Sequence, residues 1–187
     1  MGNGDVKPLT KCRSDGTPYT RRADVEQALV KLNKLPREEI VAALRIRDSS
    51  SPSYIKSECV VYLLRDTRND NDDGYFNEVY RELMRRLASA LPRFPGELSG
   101  QSESVHAALA RDRVRDVLIA KIVEDRAEAG SALDYFEVMF GNAVAALCKT
   151  SMQRAITQAT RTVAIEANEE TNEPSAAVER AVGLARF

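Results

Sequence analysis

The chain has 187 residues, of which 43% are apolar and 29% charged, and this excludes a disordered or membrane-embedded class while allowing one domain with a sizeable core. Its net charge of −1 excludes an overall electrostatic attraction to nucleic acid or anionic lipid, so such binding would need a local patch. With no apolar run of roughly 18 residues and no secretion signal, we expect a cytoplasmic protein.

Residues 1–19 place Gly and Pro among polar residues, and we expect them to form a flexible arm. Residues 20–66 carry the predicted N-terminal helices. Thr20 is expected to cap the first, whose apolar residues are Val25, Leu29, Val30 and Leu32. Pro36 suits the first position of the second helix, with Ile40, Ala43 and Leu44 inward, and Ser51 and Pro52 suit the start of a broadly apolar, central third helix.

A core helical region is predicted over residues 75–165. Asp73 caps its first helix, which carries an apolar stripe and ends at Pro92; the outer face comprises Glu78, Arg81, Glu82, Arg85 and Arg86. After a loop over residues 93–104, the next helix runs from Val105 to Asp125. The residues expected to face inward there are Leu109, Val114, Val117, Leu118 and Ile122.

Ser131 and Asp134 form a variant capping box that opens a long continuous helix toward Arg161. Residues 166–187 are predicted to be an acidic linker followed by a short helix over residues 175–184. No segment has the pattern of a strand. The sequence therefore predicts an all-α protein, a compact multi-helix bundle without a sheet.

The sequence offers no self-contained catalytic or cofactor site. His106 is the only histidine, which excludes triads and multi-histidine metal sites, and no Gly-rich phosphate loop is present. Cys12, Cys59 and Cys148 lack metal-binding spacing. We therefore predict a protein that is not an enzyme and needs no cofactor or metal.

The polar turn at residues 69–74 resembles the start of a calcium loop, with oxygen ligands at its first, third and fifth places and Gly at the sixth. The twelfth place, which requires a bidentate Glu, is Tyr80. This departure favours an ordinary turn.

The last long helix has a local excess of positive charge. Lys149, Arg154 and Arg161 meet no acidic residue between Glu137 and Glu166, and Gln and Thr residues intervene. This composition suits a phosphate backbone. An alternative is that these cations complement the dipole at the helix C-terminus.

Three segments, in this order and at these spacings, resemble region 2 of bacterial RNA polymerase sigma factors, over about residues 75–160. They are Phe76-Asn-Glu-Val-Tyr-Arg-Glu-Leu-Met-Arg-Arg-Leu, Asp112-Arg-Val-Arg-Asp-Val-Leu-Ile-Ala-Lys-Ile and Leu133-Asp-Tyr-Phe-Glu-Val-Met-Phe-Gly-Asn-Ala-Val-Ala-Ala-Leu. In that family the first helix packs in the core, the second binds a coiled coil of the polymerase largest subunit, and the third helps to melt promoter DNA. The resemblance thus implies a sigma region 2-like fold.

The resemblance also implies site residues. The polymerase-binding positions are Asp112, Val114, Arg115, Asp116 and Leu118. The DNA-facing positions are Tyr135 and Asn142, and the polar face of the same helix adds Lys149, Gln153 and Arg154. RNA polymerase core is the implied partner, with DNA as a second one and a protein regulator as a third.

Three departures from the family keep a second hypothesis open. Arg115 stands where the family usually has a Gln, Ala146 stands where it has an Asp, and the basic run that follows is thinned to Lys149 and Arg154. The first hypothesis is a sigma-factor-like transcription protein. The alternative is a helical protein–protein interaction module that keeps the sigma-like scaffold without DNA-melting activity.

Overall fold

Seven α-helices make up the part of the chain that the computed structural model describes, namely residues 6–70, 72–91, 105–128 and 130–169. Side chains are described within these ranges except at Asn69, Val105, His106 and residues 159–169. The helices are α1 (Ala23–Leu32), α2 (Arg37–Leu44), α3 (Ser57–Asp66), α4 (Asp73–Ala90), α5 (Val105–Glu128), α6 (Asp134–Val138) and α7 (Phe140–Glu169). These ranges hold no β-strand, which confirms the all-α prediction for them.

α3 is the central helix, as its broadly apolar sequence predicted. Residues 59–64 are all buried, and α3 packs against α1, α4 and α6. α4 adds the buried stripe of Val79, Leu83 and Leu87, and α5 packs along α7. Burial of these apolar side chains supplies the main driving force for the fold.

Several predicted helix starts were displaced. α1 begins at Ala23 after Arg22 rather than after Thr20, and Pro36 precedes α2 instead of opening it. α3 begins at Ser57, so the predicted start at residues 51–52 was wrong. Ile55 is nevertheless buried from the preceding loop, because a core position can be filled by an extended segment as well as by a helix.

The outer face predicted for α4 is only partly solvated. Glu82 and Arg86 are buried, and Arg86 Nε donates to Glu82 Oε1 at 2.6 Å. The Arg86 guanidinium also donates to the carbonyl of Ile55 and lies 4.8 Å from the ring centroid of Tyr54. The segment before α3 thus covers this face of α4, which the helical periodicity of α4 alone cannot reveal.

Two residues predicted to face inward are exposed instead. Leu109 on α5 is 54% exposed, because Ala107 and Ala110 are the residues that pack inward on that turn. Val30 on α1 is 37% exposed, since α1 buries only the single stripe of Val25, Leu29 and Leu32.

The long helix predicted from residue 131 onward is broken at Met139, where the backbone leaves the helical region with φ −150° and ψ 77°. α6 lies between α3 and α7, and the break lets Phe136, Val138 and Phe140 all be buried. A continuous helix would point Val138 away from the side occupied by the two Phe residues, since two residues turn a helix by about 200°.

Ser131 and Asp134 do not form the predicted capping box. The residue before α6 is Leu133, which makes no side-chain capping bond, while the Asp134 carboxylate is buried and faces residues 10–11. The segment over residues 6–19, expected to be a flexible arm, is thereby held against α6. At the other end, α7 continues through Glu169, past the predicted start of the linker.

Some predictions fall outside the described residues. They concern Pro92, the loop over residues 93–104, the side chain of His106 and the terminal helix over residues 175–184. Within the described ranges, no helix is both long enough and apolar enough to cross a lipid bilayer.

Candidate macromolecule-binding surface

The five residues of α5 predicted to bind a partner divide between the core and the surface. Val114 and Leu118 are 1% and 0% exposed, and they pack in the hydrophobic core. Asp112, Arg115 and Asp116 are exposed. Of the five, a partner can therefore touch only the three charged residues, which we call the α5 ridge. The prediction for Val114 and Leu118 is corrected, since both are core residues.

The α5 ridge has mixed charge and weak internal pairing. Arg115 Nη1 lies 3.2 Å from Asp112 Oδ1, one helical turn away, with side-chain exposures of 52% and 66%. An ion pair this exposed contributes about 0–1 kcal/mol to stability, so both groups can be redirected to a partner at little cost.

Three of the five predicted DNA-facing residues share one exposed face of α7. Asn142, Lys149 and Gln153 are spaced by seven and four residues, and at 100° per residue they lie within about 40° of the helix circumference. The exposed Ala146 and Thr157 continue the same face. These five residues, which we call the α7 stripe, extend over about 22 Å.

A groove of about 520 Å³, which we call the α7 groove, runs between α5 and α7 beside this stripe. Its lining contains two cations and otherwise neutral polar groups: Arg113, Thr150, Gln153, Arg154, Thr157 and Gln158. The hydroxyl groups of Thr150 and Thr157 donate to backbone carbonyls one turn earlier, at 3.0 and 2.9 Å. The guanidinium groups of Arg113 and Arg154 and the amide of Gln153 are consequently the donors best placed for a phosphate oxygen.

Sequence reasoning missed Arg113, which the packing of α5 on α7 places in the same groove as Arg154. Its neighbours Asp112 and Asp116 made residues 112–116 resemble a charge-balanced surface. The residue belongs to the α7 groove only through the orientation of α5, and no local pattern in the sequence indicates that orientation.

Tyr135 is separated from the α7 stripe by the break at Met139. Its side chain is half-buried, and its ring meets that of Tyr19 edge-on, with the centroids 5.8 Å apart at an interplanar angle of 66°. Beyond the break, Asn142 Nδ2 lies 3.5 Å from Met139 Sδ. The structure thus places Asn142, Lys149 and Gln153 on one face of α7 and Arg154 in the adjoining α7 groove, and it leaves Tyr135 beside the N-terminal segment.

The position of α6 is fixed by a buried charge cluster that the sequence did not predict. We call it the Arg65 cluster; it comprises Arg21, Arg65, Asp125, Asp134 and Glu137. Arg65 Nη1 lies 2.8 Å from Asp134 Oδ1 and 2.5 Å from Glu137 Oε1, and Arg65 Nη2 lies 3.0 Å from Asp125 Oδ1. Arg21 Nη2 lies 2.6 Å from Glu137 Oε2.

Burial dominates the electrostatics of this cluster. It raises the pKa of the Glu137 carboxyl above its ordinary value, while the charges of Arg21 and Arg65 act in the opposite direction. Charges this deeply buried require paired partners. Arg21 and Arg65 both donate hydrogen bonds to Glu137, whereas Asp125 Oδ1 has an ion pair with Arg65 but no hydrogen bond among the described residues. The cluster is structural, and it holds α3, α5, α6 and the N-terminal segment together.

Ion pairs with an arginine hold the polar turn over residues 69–74, whose sequence resembles the start of a calcium loop. Arg37 pairs with both Asp70 and Asp72, and its guanidinium lies 4.7 Å from the ring centroid of Tyr75. The backbone N–H of Asp72 and then Arg37 hold the pKa of Asp70 below its ordinary value. Across the described part of the chain, no three His, Cys, Asp or Glu side chains are grouped to hold a metal ion.

A larger cavity of about 730 Å³ lies between α1, α2 and the loop that leads to α3. Its apolar side is formed mainly by Ala28, Leu32, Leu35, Ala43 and Ile46. None of the predicted site residues lines it.

Comparisons with protein-family models, with curated proteins and with solved structures found no match to this chain.

Proposed function

We propose that this protein is a sigma-factor-like transcription protein that binds RNA polymerase core through the α5 ridge and promoter DNA through the α7 stripe and the adjoining α7 groove lined by Arg113 and Arg154. The observation that carries the proposal is the exposure of both surfaces on two helices packed against each other. The order of these surfaces along the chain agrees with the order implied by the resemblance to sigma region 2.

The composition of the α5 ridge supports a protein partner. Two carboxylates and one guanidinium stand exposed above the buried Val114 and Leu118, which keep the helix rigid. Mixed charge of this kind favours a complementary charged surface and disfavours an apolar one. The α7 groove differs, since its two Arg side chains face no acidic residue in the lining.

Retention on immobilised, purified RNA polymerase core tests the first half of the proposal. We expect the natural chain to be retained at micromolar concentration. Asp116→Arg should weaken retention about tenfold or more, because an Arg that meets a positive charge of the partner costs more than about 1.4 kcal/mol of binding free energy. Glu124→Arg is the matched control, since it reverses an exposed charge on the same helix. Absence of retention of the natural chain at that concentration would overturn the proposal.

Fluorescence anisotropy with a labelled DNA duplex tests the second half. If Arg113, Lys149 and Arg154 each neutralise one phosphate, log K should fall with log salt at a slope of about −2.7. Lys149→Glu with Arg154→Glu should remove about 1.8 of that slope. Lys34→Glu with Arg81→Glu is the control, since both residues are exposed on other elements. A flat salt response of the natural chain would exclude phosphate binding.

A second candidate is the protein–protein interaction module without DNA-melting activity. Two observations favour it: Tyr135 is half-buried beside Tyr19, and the α7 stripe has Ala146 where the resemblance would place an Asp. Polymerase retention combined with a flat salt response on DNA would support this candidate. A monomer in sedimentation that also binds DNA in a salt-dependent way would count against it.

A further inference from the structure

The N-terminal segment contains a short hairpin over residues 11–19. Tyr19 N donates to Lys11 O at 2.9 Å, Arg13 N donates to Thr17 O at 2.8 Å, and an isolated bridge pairs Cys12 with Pro18. Its turn requires Gly16, whose φ of +82° is rarely adopted by other residues. The hairpin therefore has a defined shape before any partner arrives.

The hairpin is fixed to α6, the helix that carries Tyr135. Asp134 Oδ2 accepts from the backbone N–H groups of Thr10 and Lys11, both at 2.7 Å. The ring of Tyr19 contacts that of Tyr135, and the guanidinium of Arg13 lies 5.7 Å from the ring centroid of Tyr19. Arg13, Tyr19 and Tyr135 thus form a continuous series of side-chain contacts from the hairpin to α6.

Two cations of this segment form no ion pair with a carboxylate within the described part of the chain. Lys7 pairs with Asp66, Arg21 with Glu137, and Arg22 with Asp24 and Glu58. Lys11 and Arg13 are exposed, and neither forms such an ion pair. Hydrogen bonds from Thr17 Oγ1 and N, at 2.6 and 2.9 Å, and the charge of Arg13 lower the pKa of the nearby Asp15 carboxyl.

We propose that Lys11 and Arg13 of the hairpin bind the phosphate backbone of DNA and extend the nucleic-acid surface of α7 past α6. The proposal rests on the DNA half of the proposed function. A nucleic acid is favoured over an acidic protein surface because the hairpin is bound to α6, and α6 packs against α7, the helix proposed to bind DNA. The ammonium of Lys11 and the guanidinium of Arg13 can both donate to phosphate oxygens. The contact positions the strand without reading its sequence.

The test is fluorescence anisotropy of the full chain with a labelled duplex over a range of salt concentrations. Replacing two phosphate-binding cations in Lys11→Gln with Arg13→Gln should reduce the salt slope by about 1.8 and weaken binding at least about tenfold at low salt. Lys34→Gln with Arg47→Gln is the matched control, since it removes equal charge from exposed sites elsewhere. Arg13→Lys should retain most of the slope because it keeps the charge.

The outcomes separate this inference from the function on which it rests. If the natural chain binds in a salt-dependent way and the hairpin variant keeps the full slope, the hairpin contact is overturned while the α7 contacts stand. If the natural chain shows no salt-dependent binding, both are overturned. If the variant loses polymerase retention but keeps its DNA slope, the hairpin binds protein and the inference fails. Circular dichroism establishes that each variant is folded.

Discussion

The carboxylate of Asp134 accepts a hydrogen bond from the backbone N–H of Lys11, a residue 123 positions earlier in the chain. Its other oxygen lies 2.8 Å from Arg65 Nη1, and the side chain is fully buried. One acidic residue therefore holds the N-terminal hairpin and joins it to the buried charges of the core.

Asp134→Asn should release the N-terminal segment. The amide keeps the size of the carboxylate but loses its charge, which leaves Arg65 with one fewer anionic partner. We expect the free energy of unfolding in urea to fall by about 3 kcal/mol. Trypsin should also cleave after Lys11 and Arg13 faster than in the natural chain.

Asp66→Asn is the control for that experiment, since Asp66 pairs with Lys7 at the surface, where both side chains are about half exposed. It should change stability by less than about 0.5 kcal/mol. Equal tryptic cleavage rates for Asp134→Asn and the natural chain would contradict the role assigned to Asp134.

Glu82→Gln should destabilise the protein near neutral pH and much less in acid. Burial raises the pKa of Glu82, but hydrogen bonds from Arg85 and Arg86 outweigh it and hold that pKa below its ordinary value. A carboxyl group whose pKa is lowered by folding stabilises the folded state at pH values above its unfolded-state pKa of about 4.3. This stability is lost as the pH falls through the folded-state pKa. At pH 7 we expect a loss of about 3 kcal/mol, because the buried Arg86 loses its anionic partner.

Urea unfolding at several pH values between 7 and 3 measures this effect. The difference between the natural chain and Glu82→Gln should shrink as the pH falls below the ordinary Glu range. Glu78→Gln, which alters the exposed pair with Arg81 on the same helix, should show little difference at any pH. A pH-independent difference for Glu82→Gln would refute the assignment.

Leu118→Ala should affect folding, whereas Asp116→Arg should affect binding. Leu118 is fully buried, and its truncation should cost about 2–5 kcal/mol in urea unfolding. Asp116 is exposed, so its reversal should change stability by about 0.5 kcal/mol or less. Polymerase retention per folded molecule should survive Leu118→Ala; its selective loss there would mean that this side chain meets the partner directly.

Cys12 and Cys59 should differ in their rate of reaction with a disulfide reagent such as DTNB. Cys12 is exposed and should react first. Burial raises the pKa of Cys59 to about 12, so almost no thiolate forms at pH 8, and it should react only after unfolding. Cys12→Ser should remove the fast phase, and a persisting fast phase would contradict this order.

The sequence predicted best the features that depend on helical periodicity. The buried α3 and the stripe of Val79, Leu83 and Leu87 follow from apolar spacing alone. The exposed face shared by Asn142, Lys149 and Gln153 could be predicted equally well, because positions on one helix have fixed relative angles. These residues needed no tertiary information.

What the sequence could not predict depends on contacts between distant segments. Asp134 resembled the acidic residue of a capping box because Ser131 stands three residues before it, yet its partners lie at residues 10–11 and 65. Glu82 and Arg86 resembled a solvated face because the covering loop is more than 20 residues away in the chain. The break at Met139 likewise results from α6 fitting between two other helices, which outweighs local helical propensity.

The Arg65 cluster has a consequence for how the chain folds. Arg21 meets a residue 116 positions later, and Arg65 meets one 72 positions later, so these contacts form only after long loops have closed. Contacts of such high sequence separation slow folding relative to a bundle built from neighbouring helices. Because Arg21 and Glu137 join distant parts of the sequence, both halves of the chain should melt in a single cooperative transition. Proteolytic trimming beyond residue 21 would remove one counter-ion of Glu137 and weaken that coupling.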